Sequence, residues 1–164
     1  TWVKQTAPYI LNGNHYVGSN VGATLTIEPG TVLKFTSGSS LYVGYGSNKS
    51  GNLVADGEPG NMITFTSGAA SGFEAAGDWD GIFLYDGIGG ATLMDHCVVE
   101  YGGGYTSNSG DISVKNSIPG VPEISNCQIE NSEHYGIWVD NSAAPTLTDN
   151  TYSNNASGDT NLEE

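Results

Sequence analysis

Ile124-Ser125-Asn126-Cys127-Gln128-Ile129-Glu130-Asn131 is the stretch on which the fold turns, because the chain carries three versions of it. Thirty positions earlier stands Met94-Asp95-His96-Cys97-Val98-Val99-Glu100-Tyr101. Twenty-three positions later stands Leu147-Thr148-Asp149-Asn150-Thr151-Tyr152-Ser153-Asn154. Each version has an apolar residue, then a turn-former (His96, Asn126 or Asp149), then a short alternating run. Such a pattern reads as two short strands meeting at a bend, with no helical period of 3.6.

Working outward, the same spacing links further runs. One series is Leu25-Thr26-Ile27, Leu53-Val54-Ala55, Ile82-Phe83-Leu84, Ile112-Ser113-Val114 and Ile137-Trp138-Val139, with steps of 28, 29, 30 and 25. A second is Leu33-Lys34-Phe35, Ile63-Thr64-Phe65, Met94, Ile124 and Leu147. The third runs through Cys97, Cys127 and Asn150, with Leu41-Tyr42-Val43 placed two coils earlier and a missing rung near Phe73, where residues 69–77 read as an outward loop. Three strand series sharing one step are the signature of a solenoid.

The expected fold is therefore all-β. It is a single-stranded, right-handed parallel β-helix of about five coils with three parallel sheets. In each run the first and third residues point inward and the middle one outward. One domain covers residues 1–164, with 1–21 expected as an N-terminal cap and 153–164 as a polar tail. An antiparallel sandwich would need two-residue hairpin turns, and Asn12-Gly13 is the one Asn-Gly signal of that kind.

Composition narrows the function classes. Four lysines, no arginine and 18 acidic residues give a net charge of −14. That field repels nucleic acid, anionic lipid and anionic polysaccharide, and leaves room for cations such as calcium. No apolar run approaches the ~18 residues of a membrane span. Thr1-Trp2-Val3-Lys4 reads as a start cut from a longer precursor.

Gly22-Ala23-Thr24-Leu25-Thr26-Ile27-Glu28-Pro29-Gly30-Thr31-Val32-Leu33-Lys34-Phe35 resembles the opening of bacterial pectate-lyase-like right-handed β-helix repeat proteins. Asp78-Trp79-Asp80-Gly81-Ile82 and the three late repeats resemble the same family. The resemblance implies an extracellular or cell-surface, polysaccharide-related setting. Pectate lyases of this family rely on calcium and a basic residue, usually arginine. The polygalacturonase type relies on adjacent aspartates. This chain has neither arginine nor Asp-Asp.

Several side-chain groups remain as candidates. Glu100 and Glu130 occupy the same outward place one coil apart, at a strand spacing of about 4.8 Å, near the carboxylate separation of a retaining glycosidase. Asp78 and Asp80 are candidate calcium ligands, with Asp56, Glu58 and Asp86 expected near the same corner. Cys97 and Cys127 stack inward as free thiols. The outward aromatics carry most weight: Phe83, Tyr85 and Trp138 on one face and Tyr42 with Tyr45 in a smaller cluster, suited to sugar rings or to a protein partner. The reading that follows is a non-catalytic module of a larger secreted or surface protein, serving adhesion or binding of a neutral polysaccharide or cell-surface glycan. The alternative is a polysaccharide-degrading glycoside hydrolase or lyase using Glu100 and Glu130. Strand edges at the solenoid ends make end-to-end self-association a further expectation.

Overall fold

The computed structural model describes residues 1–46, 49–85, 92–115, 121–140 and 142–162. The strands follow one another in a fixed rotation. β1 (Tyr9–Leu11), β2 (Asn14–Val17) and β3 (Thr24–Ile27) make one turn, and β4 (Val32–Phe35), β5 (Ser40–Val43) and β6 (Asn52–Asp56) the next. β7 (Ile63–Ser67), β8 (Gly81–Leu84) and β9 (Leu93–Asp95) make the third. β10 (Cys97–Glu100), β11 (Gly110–Val114) and β12 (Glu123–Ser125) make the fourth. β13 (Gln128–Glu130), β14 (Tyr135–Val139) and β15 (Thr146–Thr148) complete a fifth, and β16 (Thr151–Ser153) and β17 (Gly158–Thr160) begin a sixth.

Every third strand pairs in parallel with its neighbour one turn away. The first sheet is β1-β4-β7-β10-β13-β16, the second β2-β5-β8-β11-β14-β17 and the third β3-β6-β9-β12-β15. The architecture is a parallel β-helix, and no helix occurs among the described residues. Ile82, Ile112 and Ile137 lie in register in successive layers of the second sheet.

Alternation along each strand builds the core. Leu33 and Phe35, Ile63 and Phe65, Cys97 and Val99, and Cys127 and Ile129 point inward from the first sheet and are buried. Leu41, Val43, Ile82, Leu84, Ile112, Val114, Ile137 and Val139 do the same from the second. Both cysteines are free thiols in this core. A one-residue slip would turn each of these rungs toward water, so the inward set fixes the register.

The corners explain the turn-formers. His96, Asn126 and Asp149 have φ of 46°, 52° and 53°, and Tyr101, Asn131 and Asn154 have 64°, 61° and 55°. These are two stacked left-handed bends, one between the third and first sheets and one between the first and second. Asn, Asp and His tolerate that conformation better than other non-glycine residues.

Two expectations need correction. The series drawn from a constant step change sheets partway: Leu25 and Leu53 belong to the third sheet, whereas Ile82, Ile112 and Ile137 belong to the second. Likewise Leu33 and Ile63 lie in the first sheet and Met94, Ile124 and Leu147 in the third. No rung is missing near Phe73, which is 80% exposed on the connection from β7 to β8. That long connection lengthens one turn, so a uniform step falls one strand short of the true partner.

The ends also carry more structure than a cap and a tail. Residues 1–21 supply β1 and β2, while Trp2 bridges Ile27 in parallel and stacks on Tyr9 at 5.5 Å. The polar tail supplies β17. Its Asn161 is paired twice to Val139, whose N–H donates to Oδ1 at 2.6 Å and whose carbonyl accepts from Nδ2 at 2.8 Å. Asn150 and Asn155 bridge to the preceding turn in the same way, through Cys127 and Ile124 and through Ser132 and Ile129.

Candidate functional site

Correct register brings the two expected aromatic clusters together. The outward row of the second sheet is Tyr16, Tyr42, Phe83, Ser113 and Trp138, one residue per turn. Thr26 and Val54, expected in this row, lie on the third sheet instead. Strand spacing sets the ring spacing: Tyr16 stacks on Tyr42 at 5.1 Å and 12°, and Tyr42 on Phe83 at 5.0 Å and 18°. Tyr45, Tyr85 and Tyr105 pack around this column, Tyr105 meeting Phe83 edge-on at 5.4 Å.

Stacking decides which rings can meet a ligand. Phe83 is fully buried and Tyr42 nearly so, because their faces lie against each other and their edges under the neighbouring tyrosines. Tyr85 is half-buried, and burial pushes its phenol up to about 12, so the hydroxyl stays neutral. Tyr16, Tyr45 and Tyr105 are 60%, 50% and 54% exposed and form the accessible rim. A cleft of about 240 Å³ beside them is lined by Tyr16, Val17, Gly18, Tyr45 and Lys49. Of the residues expected from sequence, Tyr45 therefore lies on the rim, while Phe83 and Tyr42 form its buried support. Tyr16 and Tyr105 escaped notice because isolated tyrosines carry no sequence signal until register aligns them.

Trp138 stands apart from this column. Ser113 leaves a gap in the ring row, and Lys115 fills it. Lys115 Nζ lies 3.6 Å from the Trp138 ring centroid and 6.0 Å from that of Phe83, and it donates to the Asn108 carbonyl at 2.6 Å. A cation over an indole face is a favourable electrostatic contact. Burial holds the ammonium below its ordinary range, with the Asp140 charge opposing. The face of Trp138 is thus already occupied by the chain's own lysine.

The acid pair is in register but not free. Glu100 faces Glu130 across β10 and β13. Thr66 donates to Glu100 Oε1 and Ser153 to Glu130 Oε2, both at 2.8 Å. Thr66 on β7 and Ser153 on β16 lie on opposite sides of the pair, so each carboxylate is held by its outer neighbour. Burial raises the Glu100 carboxyl, the Thr66 hydrogen bond opposes this, and the Glu130 charge adds to it.

Asp78 and Asp80 flank Trp79, whose ring is fully buried and stacks on Phe35 at 4.1 Å while its Nε1–H donates to the Glu100 carbonyl at 2.9 Å. Ser67 and the Ala75 amide donate to Asp78, and Ser40 donates to Asp80. Burial raises the Asp80 carboxyl. Among the described residues, no three His, Cys, Asp or Glu side chains gather as metal ligands. Asp86 lies outside the described residues. At the opposite corner, Asp95 accepts from Asn126, Ser125 and His96 at 2.7, 3.0 and 2.8 Å. Burial alone would raise the Asp95 carboxyl, but these bonds outweigh it and hold it below its ordinary range. His96, Asn126 and their neighbours thus saturate a bend.

One residue had no signal in the sequence: Asp111 is fully buried on β11. Comparison with protein-family models, with curated proteins and with solved structures finds no match for this chain, so its function is read from this geometry.

Proposed function

We propose that this chain is a non-catalytic carbohydrate-binding or adhesion module, a segment of a larger secreted or cell-surface protein, acting through the aromatic rim of its second sheet. The observation that carries the reading is the arrangement of Tyr16, Tyr45 and Tyr105, half or more exposed, on a buried support of Tyr42, Phe83 and Tyr85. Tyrosine offers a sugar an apolar face and a hydroxyl at small entropic cost, and rings already fixed by packing lose little freedom on binding. The net charge of −14 favours a neutral glycan over an acidic one.

Affinity electrophoresis against neutral and acidic polysaccharides tests this reading. Retardation by a neutral glycan is expected, with a loss of about tenfold for Tyr16→Ala or Tyr45→Ala, the scale of one stacked ring. Binding indifferent to Tyr16, Tyr45 and Tyr105 together, or no retention by any glycan, refutes it. The alternative, hydrolysis or lyase chemistry at Glu100 and Glu130, is favoured by their register and by the raised Glu100 carboxyl, the condition a general acid needs. Polysaccharide cleavage abolished by Glu100→Gln would replace the first reading with this one.

A further inference from the structure

Asp111 is an acid without a counter-charge. Its side chain is fully buried, Gly102 N–H donates to Oδ1 at 2.8 Å, and Oδ2 has no hydrogen-bond partner among the described residues, the Ser132 hydroxyl lying near the carboxyl but outside hydrogen-bond geometry. The chain holds four lysines and no arginine. Lys4 is bound to Asn61 and Lys115 to Asn108, Lys34 lies in the outward row of the first sheet, and Lys49 lines the cleft beside Tyr45. Among the described residues the one ion pair is His96–Asp95.

The groups packed around Asp111 make ionisation harder. Trp79 lies against the same space that Gly102 leaves open, since a Cβ on Gly102 would meet Asp111 Oδ1 at 2.7 Å and Trp79 Cε2 at 3.2 Å. Glu100 at the end of β10 and Glu130 at the end of β13 act on Asp111 as like charges, while Tyr101, Glu133, His134, Asp78 and Asp80 are the other titratable residues on the segments that meet the Gly102–Gly104 turn. Burial works in the same direction, the Gly102 and Ser132 contacts against it, and the balance is a carboxyl well above its ordinary range.

A buried unpartnered oxygen calls for a ligand. Calcium would need six to eight oxygens, and no cluster of three acidic or metal-binding side chains occurs among the described residues. A proton needs neither space nor a second ligand, and it removes the cost of burying a charge.

We propose that Asp111 is a proton-binding site that stays occupied through neutral pH and thereby holds the Gly102–Ser109 loop down on the aromatic face. The loop begins at the amide bound to Asp111. It places Tyr105 over Phe83 and the Asn108 carbonyl on Lys115, and Ser109 closes it through hydrogen bonds with Thr106 and Gly103. Loss of the proton leaves a bare charge beside Trp79; the Gly102 amide offsets part of the cost of burying it, and lifting the loop that carries this amide relieves the rest by admitting water. The aromatic support is then uncovered at alkaline pH. The loop carries Tyr105 of the rim, but the inference does not rest on the glycan reading, because each of its readouts is made on the protein alone.

Carbon NMR of protein labelled at aspartate carboxyls tests it without any substitution. The Asp111 carboxyl carbon, assigned through its backbone connectivity, is expected to keep the acid-form shift past neutral pH. At the pH where that shift moves, exchange protection of the Gly102 amide and the contacts between Tyr105 and Phe83 should vanish together. Asp111→Asn keeps the acceptor for Gly102 and cannot ionise, so its loop should stay closed at that pH. An ionised Asp111 at neutral pH overturns the proposal. So does ionisation that leaves the loop in place, or a loop in Asp111→Asn that opens at the same pH as before.

Discussion

Phe83→Ala asks whether the outward row of the second sheet is surface or a second core. The residue points away from the solenoid interior, and an exposed ring on a sheet face contributes within about 0.5 kcal/mol on truncation. The structure argues otherwise. Phe83 is fully buried, stacked on Tyr42 at 5.0 Å, met edge-on by Tyr105 at 5.4 Å and flanked by Tyr85 at 6.3 Å. Truncating such a ring removes the transfer energy of its carbons and leaves a cavity, together about 3–5 kcal/mol. For a chain of 164 residues that corresponds to a fall in Tm of about 6–20 °C, at roughly 2–4 °C per kcal/mol. Urea unfolding followed by circular dichroism measures it, with the slope m held as a check that the unfolded state has not changed. Tyr16→Ala is the control, because a ring 60% exposed with one stacked face should cost about 1 kcal/mol or less. A Phe83→Ala cost below about 1 kcal/mol would refute the idea that the ladder is packed as a core.

Three further outcomes follow from single contacts. Gly104→Ala would place a Cβ 2.5 Å from the Gly77 carbonyl oxygen, where backbone faces backbone and nothing flexible can yield, so thermal unfolding should show a loss of about 1–3 kcal/mol. Asn161→Ala strands both the N–H and the carbonyl of buried Val139, and a loss of about 2 kcal/mol in urea is expected; Asn161→Asp should not rescue it, since a carboxylate has no donor for the carbonyl. Glu100 has a folded-state carboxyl raised above its unfolded value, chiefly by burial. Its stabilising difference is therefore present in acid and lost as pH rises through the folded value, and Glu100→Gln should melt progressively higher than wild type across that range. A constant offset between the two melting curves would show that Glu100 is not perturbed.

The parallel β-helix was legible because its causes are local. Inward residues two apart, as in Ile82 and Leu84 or Ile112 and Val114, declare strands, and His96, Asn126 and Asp149 declare bends that ordinary residues resist. The registry between distant turns was not legible, because it depends on loop length. Leu41 pairs with Ile82 across 41 positions, whereas Ile112 pairs with Ile137 across 25. A loop that protrudes into water changes the step at little energetic cost, so no constant period survives it. The aromatic site inherited that error: Tyr42 reads as a separate cluster until the Gly68–Asp80 connection is taken out and it falls directly over Phe83. Asp111 was invisible for a related reason. On its own strand it is one polar residue between Gly110 and Ile112, and only the neighbouring turns, closing over it with Trp79 and Gly102, make it a buried acid.

A solenoid imposes a constraint on what an outward aromatic row can do. Rings on successive rungs repeat at the strand spacing of about 4.8 Å, close to the spacing at which they stack on one another. They therefore spend their faces internally, as Tyr16, Tyr42 and Phe83 do at 5.1 and 5.0 Å. Only a ring at the end of the column, a ring carried on a loop, or a break in the row keeps a face for something else. Tyr16 is the first kind, Tyr45 and Tyr105 the second, and Ser113 makes the third, a gap that Lys115 closes by laying its ammonium on Trp138. Recognition on this face therefore belongs to the rim rather than to the row. The buried middle of the row serves to hold the rim in one geometry, which is why its loss is expected to register first in stability and only then in binding.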